Sequence, residues 1–377
     1  MRNTNRDQRG RRNPLPLAAA AFLLLWCHPA AAQSRPSAAS RPEFDDAHFH
    51  LTNYIQEGTD IHEFVKIMGS KVGRVALFGI PLQQQWSYQN SGDFAPTYYL
   101  QTDAPLYYYS FTDAYIAMAY RSLSKDEQAR LDPMITGFNP TDMYATDHIR
   151  RVLQTFPGVF SGIGEFTIHK EFVSSKVAGE TASLLNPALD RILDLAAEAG
   201  LVVLIHNDLD VPFAKRELSA ASLAGAGTET IYLSQMKALL KRHPKTSIIW
   251  AHTGLGRVVR PVPNHAATIE AILKDPDFPH VYFDISWDEV AKYLVATPES
   301  VKISADLINR YPDRFLFGTD EVAPPNQQQY LRVYYQYDPL WKALTPDASE
   351  KVRKGNYERI FDQARRDVRA WEASHRK

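Results

Sequence analysis

Asp46-Ala47-His48-Phe49-His50-Leu51 reads as a β-strand carrying chemistry on one side. Side chains alternate along a strand, so His48 and His50 share a face with Asp46, while Phe49 and Leu51 point the other way. A sheet packed on helices with its outer face, and functional near the strand ends on its inner face, accommodates that pattern. Two imidazoles at i and i+2 reach one ion. Three later segments, 201–206, 246–252 and 314–320, each read as a buried strand ending in a ligand-type residue, namely His206, His252 and Asp320.

Working outward, apolar runs and turn signals predict strands at 44–51, 74–80, 134–138, 158–166, 201–206, 246–252, 281–286 and 315–320. Helices are expected at 61–69, 113–131, 147–156, 187–199, 230–242, 266–274 and 299–309. Helices, one of them over 351–361, follow in the tail. Residues 187–199 place Leu189, Ile192, Leu193 and Ala196 at three- and four-residue spacing, with Gly200 as the stop. The segment 201–206 is apolar until its end, the mark of a parallel strand covered on both sides. Eight strands alternating with helices, without a detectable repeat, predict an α/β fold, a (β/α)8 TIM barrel with an aromatic-rich insertion after the second strand and C-terminal helices. A doubly wound sheet would call for a Gly-x-Gly-x-x-Gly turn after an early strand, and the chain has none there. In the barrel, His48, His50, Glu165, His206, His252 and Asp320 all fall at strand C-terminal ends, where barrel active sites are built.

Residues 83–106 contain Trp86, Tyr88, Phe94, Tyr98 and Tyr99, and Tyr107-Tyr108-Tyr109 follows at once. So aromatic a segment is a poor candidate for disorder, and Trp86 and Tyr88 are expected to line a pocket above the site. Arg257 and Arg260, just past His252, are the candidate grip for a substrate carboxylate. His169 and Lys170 lie just beyond Glu165, where a solvated loop is the simplest expectation. Asp284 and Trp287 read as structural.

Five arginines among residues 1–12, the apolar run 15–27 and Ala30-Ala31-Ala32 read as an export signal, with cleavage expected after Ala32. A disordered lead over 33–42 and a single domain over 43–377 would follow, located in the periplasm or secreted. Removing the signal takes away five arginines and one aspartate, leaving a net charge of about −5, and also the only cysteine, Cys27. No basic stripe suits nucleic acid, and no later run is long enough to span a membrane. The expected partner is a small-molecule substrate, with homo-oligomers allowed.

Four histidines and one aspartate, each closing an apolar strand, are hard to explain as packing, because buried ionisable groups are costly unless paired or metal-bound. The arrangement resembles the amidohydrolase superfamily of metal-dependent barrel hydrolases. Ile205-His206, Trp250-Ala251-His252-Thr253-Gly254, Phe283-Asp284-Ile285-Ser286-Trp287 and Phe317-Gly318-Thr319-Asp320 are most similar to its amidohydrolase-related branch. Gly355-Asn356-Tyr357-Glu358-Arg359-Ile360-Phe361 resembles that branch's closing helix, so the likeness runs from Phe44 to Phe361. It implies His48, His50, His206 and Asp320 as metal ligands, with His252 beside the metal as an acid/base or carbonyl-polarising group. Gly162-Ile163-Gly164-Glu165 also looks like the fourth-strand segment of TatD-type nucleases, in which the glutamate binds metal. Glu165 is therefore either a ligand or a carboxylate that orients a histidine.

The implied cofactor is a divalent ion, Zn²⁺ by preference, with one ion favoured and a second allowed between Glu165 and His206. Three neutral imidazoles and one carboxylate leave Zn²⁺ with net positive charge, which lowers the pKa of bound water toward neutrality. Asp320 then accepts the water's proton and His252 stabilises the developing oxyanion. The expected reaction is hydrolysis of an amide, ester or lactone-type carbonyl. A decarboxylase or hydratase on the same scaffold is the first alternative, and a ligand-binding barrel without turnover the second.

Overall fold

Seven apolar stretches with β-branched and aromatic residues form the long strands of one parallel sheet: β1 Phe44–Thr52, β2 Val72–Gly79, β3 Leu131–Ile135, β4 Gly162–Lys170, β5 Val202–Asn207, β6 Ile248–Trp250 and β7 Val281–Asp284. Two short strands, β8 Phe315–Leu316 and β9 Glu321–Val322, extend it in the order β8-β7-β6-β5-β4-β3-β2-β1-β9, and a further two-residue strand, Val173–Ser174, pairs antiparallel with the end of β4. This computed structural model describes residues 41–375 except 54–56, 81–84, 87–99, 102–110, 171–172, 175, 178–179, 182, 210–230 and 257–263. The expected export signal and most of the disordered lead, most of the aromatic insertion, Tyr88, Arg257 and Arg260 therefore lie outside the described residues. Of the insertion, only the paired two-residue strands Gln85–Trp86 and Leu100–Gln101 are described. No helix among the described residues is long and apolar enough to cross a membrane.

The two ends of the sheet belong to one stretch of chain. Leu316 accepts from the Ile285 N–H at 3.0 Å on the β7 side. On the β1 side, Phe317 accepts from Ala47 N–H at 3.0 Å and the Asp320 N–H donates to His48 O at 2.7 Å. What the sequence presents as one eighth strand is thus split, and the break carries Asp320.

The sheet divides the core into two layers. Ala47, Ala76, Met134, Val202, Leu204, Ile249 and Leu316 meet on the inner face, joined by Tyr357, Ile360 and Phe361 of the closing helix Asn356–Ser374. Phe49, Leu77, Ile163, Val203, Ile205, Trp250 and Phe283 belong to the outer layer, with helix residues such as Phe64, Ile192 and Leu193. Beside the closing helix lies a buried ion cluster: Asp132 receives Arg74 Nη2 at 2.9 Å and Tyr357 Oη at 2.7 Å, and also Arg365 Nε.

Several elements depart from the sequence expectation. The helix foreseen over 113–131 is two helices, Thr112–Ser122 and Lys125–Ala129, because Ser124 and Glu127 form a capping box that starts the second. Leu131 then opens β3 three residues early. The fourth strand begins at Gly162 and runs to Lys170, so Glu165 sits inside it rather than at its end. The β1–β2 pairing shifts register between Asp46 and Phe49, so strict alternation fails there. Asp46 leaves the histidine face and accepts from Tyr330 Oη at 2.9 Å and from Thr319 Oγ1 at 2.6 Å.

Asp45 illustrates the cost of burial at this end of the sheet. Its Oδ1 accepts from Arg74 N–H at 2.7 Å, while the buried Oδ2 has no hydrogen-bond partner. Burial is the main cause that raises its pKa from 3.8 to about 7, with Glu358 and Asp132 adding to it. The ionised form is therefore penalised in the folded chain only: not at all below its unfolded value, increasingly as pH rises toward 7, and fully above that. Asp45→Asn should raise the melting temperature at pH 8, by an amount equivalent to at most about 4 kcal/mol, and the gain should shrink toward zero near pH 4. Thermal unfolding of both proteins across that range checks the sign.

Candidate metal centre

Six of the sequence-predicted residues come together at one end of the sheet. His48 and His50 reach it from β1, Glu165 from β4 and His206 from β5. His252 lies in a single turn, Ala251–Gly254, after β6, and Asp320 lies in the break between β8 and β9. Neither of these two owes its direction to strand alternation, because each lies past the end of regular strand rather than at its last position. Both have positive φ, 58° at His252 and 52° at Asp320, as do Thr253 and Trp287. Among the described residues, four of the six non-glycine residues with positive φ therefore border the site, the kind of local strain that functional centres hold.

Glu165 is the hub. Its Oε1 lies 2.8 Å from His206 Nδ1, 3.5 Å from His252 Nε2 and 4.0 Å from Lys170 Nζ. Its Oε2 is 3.6 Å from His50 Nε2 and 3.8 Å from His48 Nε2. Asp320 Oδ1 stands 3.0 Å from His50 Nε2 and 3.2 Å from His48 Nε2, and its Oδ2 is 3.8 Å from His252 Nε2. Burial alone would protonate both carboxyls. Lys170 and the histidines outweigh it at Glu165, and His48 and His50 do so at Asp320, so both are held well below the usual carboxylate range. Burial also opposes charge on His48, but Asp320 and Asp284 raise its pKa well above the ordinary value, whereas burial prevails at His252 and lowers it.

The donor set fits a divalent cation. His48 Nε2, His252 Nε2 and Glu165 Oε2 are buried and make no well-aligned hydrogen bond. Three overlapping trios have ligand atoms within 4.8 Å of one another: His48 with His50 and Glu165, Glu165 with His206 and His252, and His48 with His252 and Asp284. Imidazole and carboxylate donors packed this closely are the ligand chemistry of Zn²⁺ and its neighbours.

Other residues take positions that strand reading overlooked or assigned elsewhere. Asp284, expected to be structural, is fully buried with its Oδ2 3.1 Å from His48 Nδ1. It closes an apolar strand just as His206 does, and that signal could have found it. Asp208, two residues past His206, lies 3.0 Å from His206 Nε2. Lys170 is no solvated loop residue: it ends β4, is buried, and has its ammonium 5.4 Å from the centre of the Trp287 ring. Trp287 in turn lies against the His252 ring at 5.1 Å. Trp86 belongs to a two-residue strand that the main sheet does not include.

The family model described as Amidohydrolase matches residues 45–363. The chain belongs to this amidohydrolase family. The superfamily uses divalent metals, which agrees with the cluster just described. No curated protein sequence matches the chain. Among solved structures, it is similar to an amidohydrolase from Burkholderia multivorans with bound zinc, at 13% identity and a TM-score of 0.50, over 85% of this chain and 99% of that one. It is equally similar to a 2,6-dihydroxybenzoate decarboxylase complexed with 2,6-dihydroxybenzoate, at 12% identity and a TM-score of 0.50, over 85% and 99% of the two chains. These likenesses concern the fold, and they agree with an α/β architecture built on a parallel sheet.

Gly318 brings the interrupted strand against His48 in this amidohydrolase. A Cβ there would stand 2.7 Å from His48 Cβ and 2.9 Å from His48 N, and the latter is backbone that cannot swing aside. Gly318→Ala should cost about 1–3 kcal/mol of stability by overpacking and weaken Zn²⁺ binding by displacing His48. Unfolding in denaturant and a Zn²⁺ titration of the same preparation check the two effects.

Proposed function

We propose that this chain is an exported, metal-dependent hydrolase that cleaves an amide, ester or lactone-type bond of a small organic substrate. The reading takes the sheet as a closed (β/α)8 barrel in a single domain over 43–377, with the export signal before it. The observation that carries it is the set of bare, buried donors, His48 Nε2, His252 Nε2 and Glu165 Oε2, facing one another around Asp320. His48, His50, His206 and Asp320 would hold one Zn²⁺, and Glu165 would either share it or hold a second ion with His206. When bound, such an ion supplies Lewis acidity that brings the pKa of water toward neutrality.

The protein's own groups then handle the proton. Asp320 accepts it from the attacking water, and His252 Nε2, 3.8 Å from Asp320 Oδ2, is the next acceptor on the way to the leaving group. With its Nε2 bare, His252 suits proton transfer better than the oxyanion contact expected from the sequence. The apolar floor of Phe78, which packs edge-on against His50 at 4.6 Å, excludes water from beneath the cluster.

A lyase that decarboxylates a small acid is the second reading. The buried ammonium of Lys170, beside both Glu165 and Trp287, favours it as a counter-charge for a substrate carboxylate.

Elemental analysis of the purified protein should find one equivalent of transition metal per chain, lost in His48→Ala and kept in Glu165→Ala. Two equivalents that fall to one in Glu165→Ala would make Glu165 a ligand, and no metal after incubation with Zn²⁺ or Mn²⁺ would overturn the proposal. Asp320→Asn should lower turnover of any ester, lactone or amide that the parent hydrolyses by about 10²–10⁴-fold. Turnover of a carboxylic acid with release of CO2, in place of hydrolysis, would select the lyase.

A further inference from the structure

We propose that Asp284 is a positioning residue that sets the tautomer of two histidines at once, His48 directly and His252 through Ser286, and so aims both Nε2 atoms into the metal cavity. The inference rests on the metal-centre reading above and adds the device that prepares the site for its ion.

The hydrogen-bond accounting leaves little freedom. Asp284 Oδ1 accepts from the backbone N–H of His252 at 2.8 Å, the backbone N–H of Ser286 at 3.1 Å and the Ser286 hydroxyl at 2.5 Å. Its Oδ2 lies 3.1 Å from His48 Nδ1. An ionised carboxylate only accepts, so His48 must carry its proton on Nδ1 to make that bond. The Ser286 hydrogen is committed to Asp284. At His252 Nδ1, 2.8 Å away, Ser286 Oγ therefore acts as the acceptor, and His252 too must be protonated on Nδ1; the same oxygen lies 3.3 Å from His48 Nδ1 and is a second, longer acceptor for that proton. In its neutral, metal-binding form each ring consequently turns an unprotonated Nε2 inward, and these are the two ring nitrogens of the pair left without a well-aligned hydrogen bond.

Two further observations agree. The His48 and His252 rings stack at 4.8 Å and 28°, so one support beneath them governs the direction of both. His252 adopts φ of 58°, and its own N–H is the group that Asp284 Oδ1 holds, so the carboxylate steadies the strained backbone as well as the ring. The remaining histidines are served differently. His206 has Glu165 and Asp208 on its two nitrogens, and the Nδ1 of His50 is buried without a hydrogen bond. Metal-ligating imidazoles commonly owe tautomer and orientation to such an outer carboxylate, but here one carboxylate serves a ligand and an acid/base group together.

Asp284→Asn tests this because the amide is nearly isosteric. Three donors converge on Oδ1, so the amide oxygen must take that place and the NH2 must face His48 Nδ1. Donor then meets donor, and His48 is driven to the tautomer with its proton on Nε2, where the ion belongs. The Zn²⁺ affinity of Asp284→Asn, measured by competition with a chelator, should fall about 10–100-fold from the parent. Ser286→Ala, which leaves Asp284 to hold the His48 proton, should lower the affinity less than Asp284→Asn does. In ¹⁵N spectra of the Zn²⁺-loaded protein, His252 should be protonated on Nδ1 in the parent and mixed between its two nitrogens in Ser286→Ala. A parent that binds no Zn²⁺ would overturn the metal-centre reading itself. A parent that binds Zn²⁺ no more tightly than Asp284→Asn, or whose His252 proton sits on Nε2, would overturn this inference alone. Should Asp284→Asn fail to fold, the parent and Ser286→Ala spectra still decide it.

Discussion

A single buried carboxylate, that of Glu165, makes demands that the surrounding structure is arranged to meet. Taking an isolated carboxylate out of water costs far more than a domain's net stability can supply, so its charge has to be compensated at close range. Compensation comes from four imidazoles and one ammonium, contributed by β1, β4, β5 and the turn after β6. Each imidazole then needs support for its own second nitrogen, and three of the four have it: His48 from Asp284, His252 from Ser286 and His206 from Asp208. The site is thus two nested shells of opposite charge, and it accepts a divalent ion because the inner donors converge faster than they can satisfy one another.

The scaffold delivers these groups by leaving regular structure where the site begins. Strand hydrogen bonding carries the chain up to His50, Glu165 and His206, whereas His252, Trp287 and Asp320 sit in left-handed or otherwise irregular backbone just past a strand end. Irregular backbone is tolerated there because its amides are held individually: His252 by Asp284, and Asp320 by the carbonyl of His48. Beneath the site, the inner layer of alanine, valine, leucine and methionine side chains keeps the strands close. The Asp132, Arg74 and Arg365 cluster ties the closing helix to that same sheet.

Much of this was legible in the chain. Alternating strand and helix signals locate all the long strands to within a few residues, because hydrophobic period is a local property that packing preserves. His48, His50 and His206 lie on strands that the period locates, and they meet at one end of the sheet. The reading went wrong where tertiary contacts override period. Asp46 was assigned to the histidine face, but a register shift in β1 sends it to Thr319 and Tyr330. His252 and Asp320 join the cluster from irregular backbone past a strand end, where no strand period sets the direction of a side chain. Asp284 closes an apolar strand, a signal open to the sequence, but its place beneath two histidines depends on which strands are neighbours, and Lys170 is buried only because β4 runs on to it.

The amino-acid sequence by itself determined the α/β architecture, the sheet's apolar layers and the residue types available at the strand ends. These follow from side-chain period, volume and polarity, which each segment carries wherever it goes. Only the tertiary structure decided that the strand from Phe315 to Val322 would be interrupted between Leu316 and Glu321, that Glu165 would stand among four imidazoles, and that Asp284 would support two of them. Those facts depend on which strand ends meet across the sheet, and the direction of a buried side chain is settled by the partners it finds there.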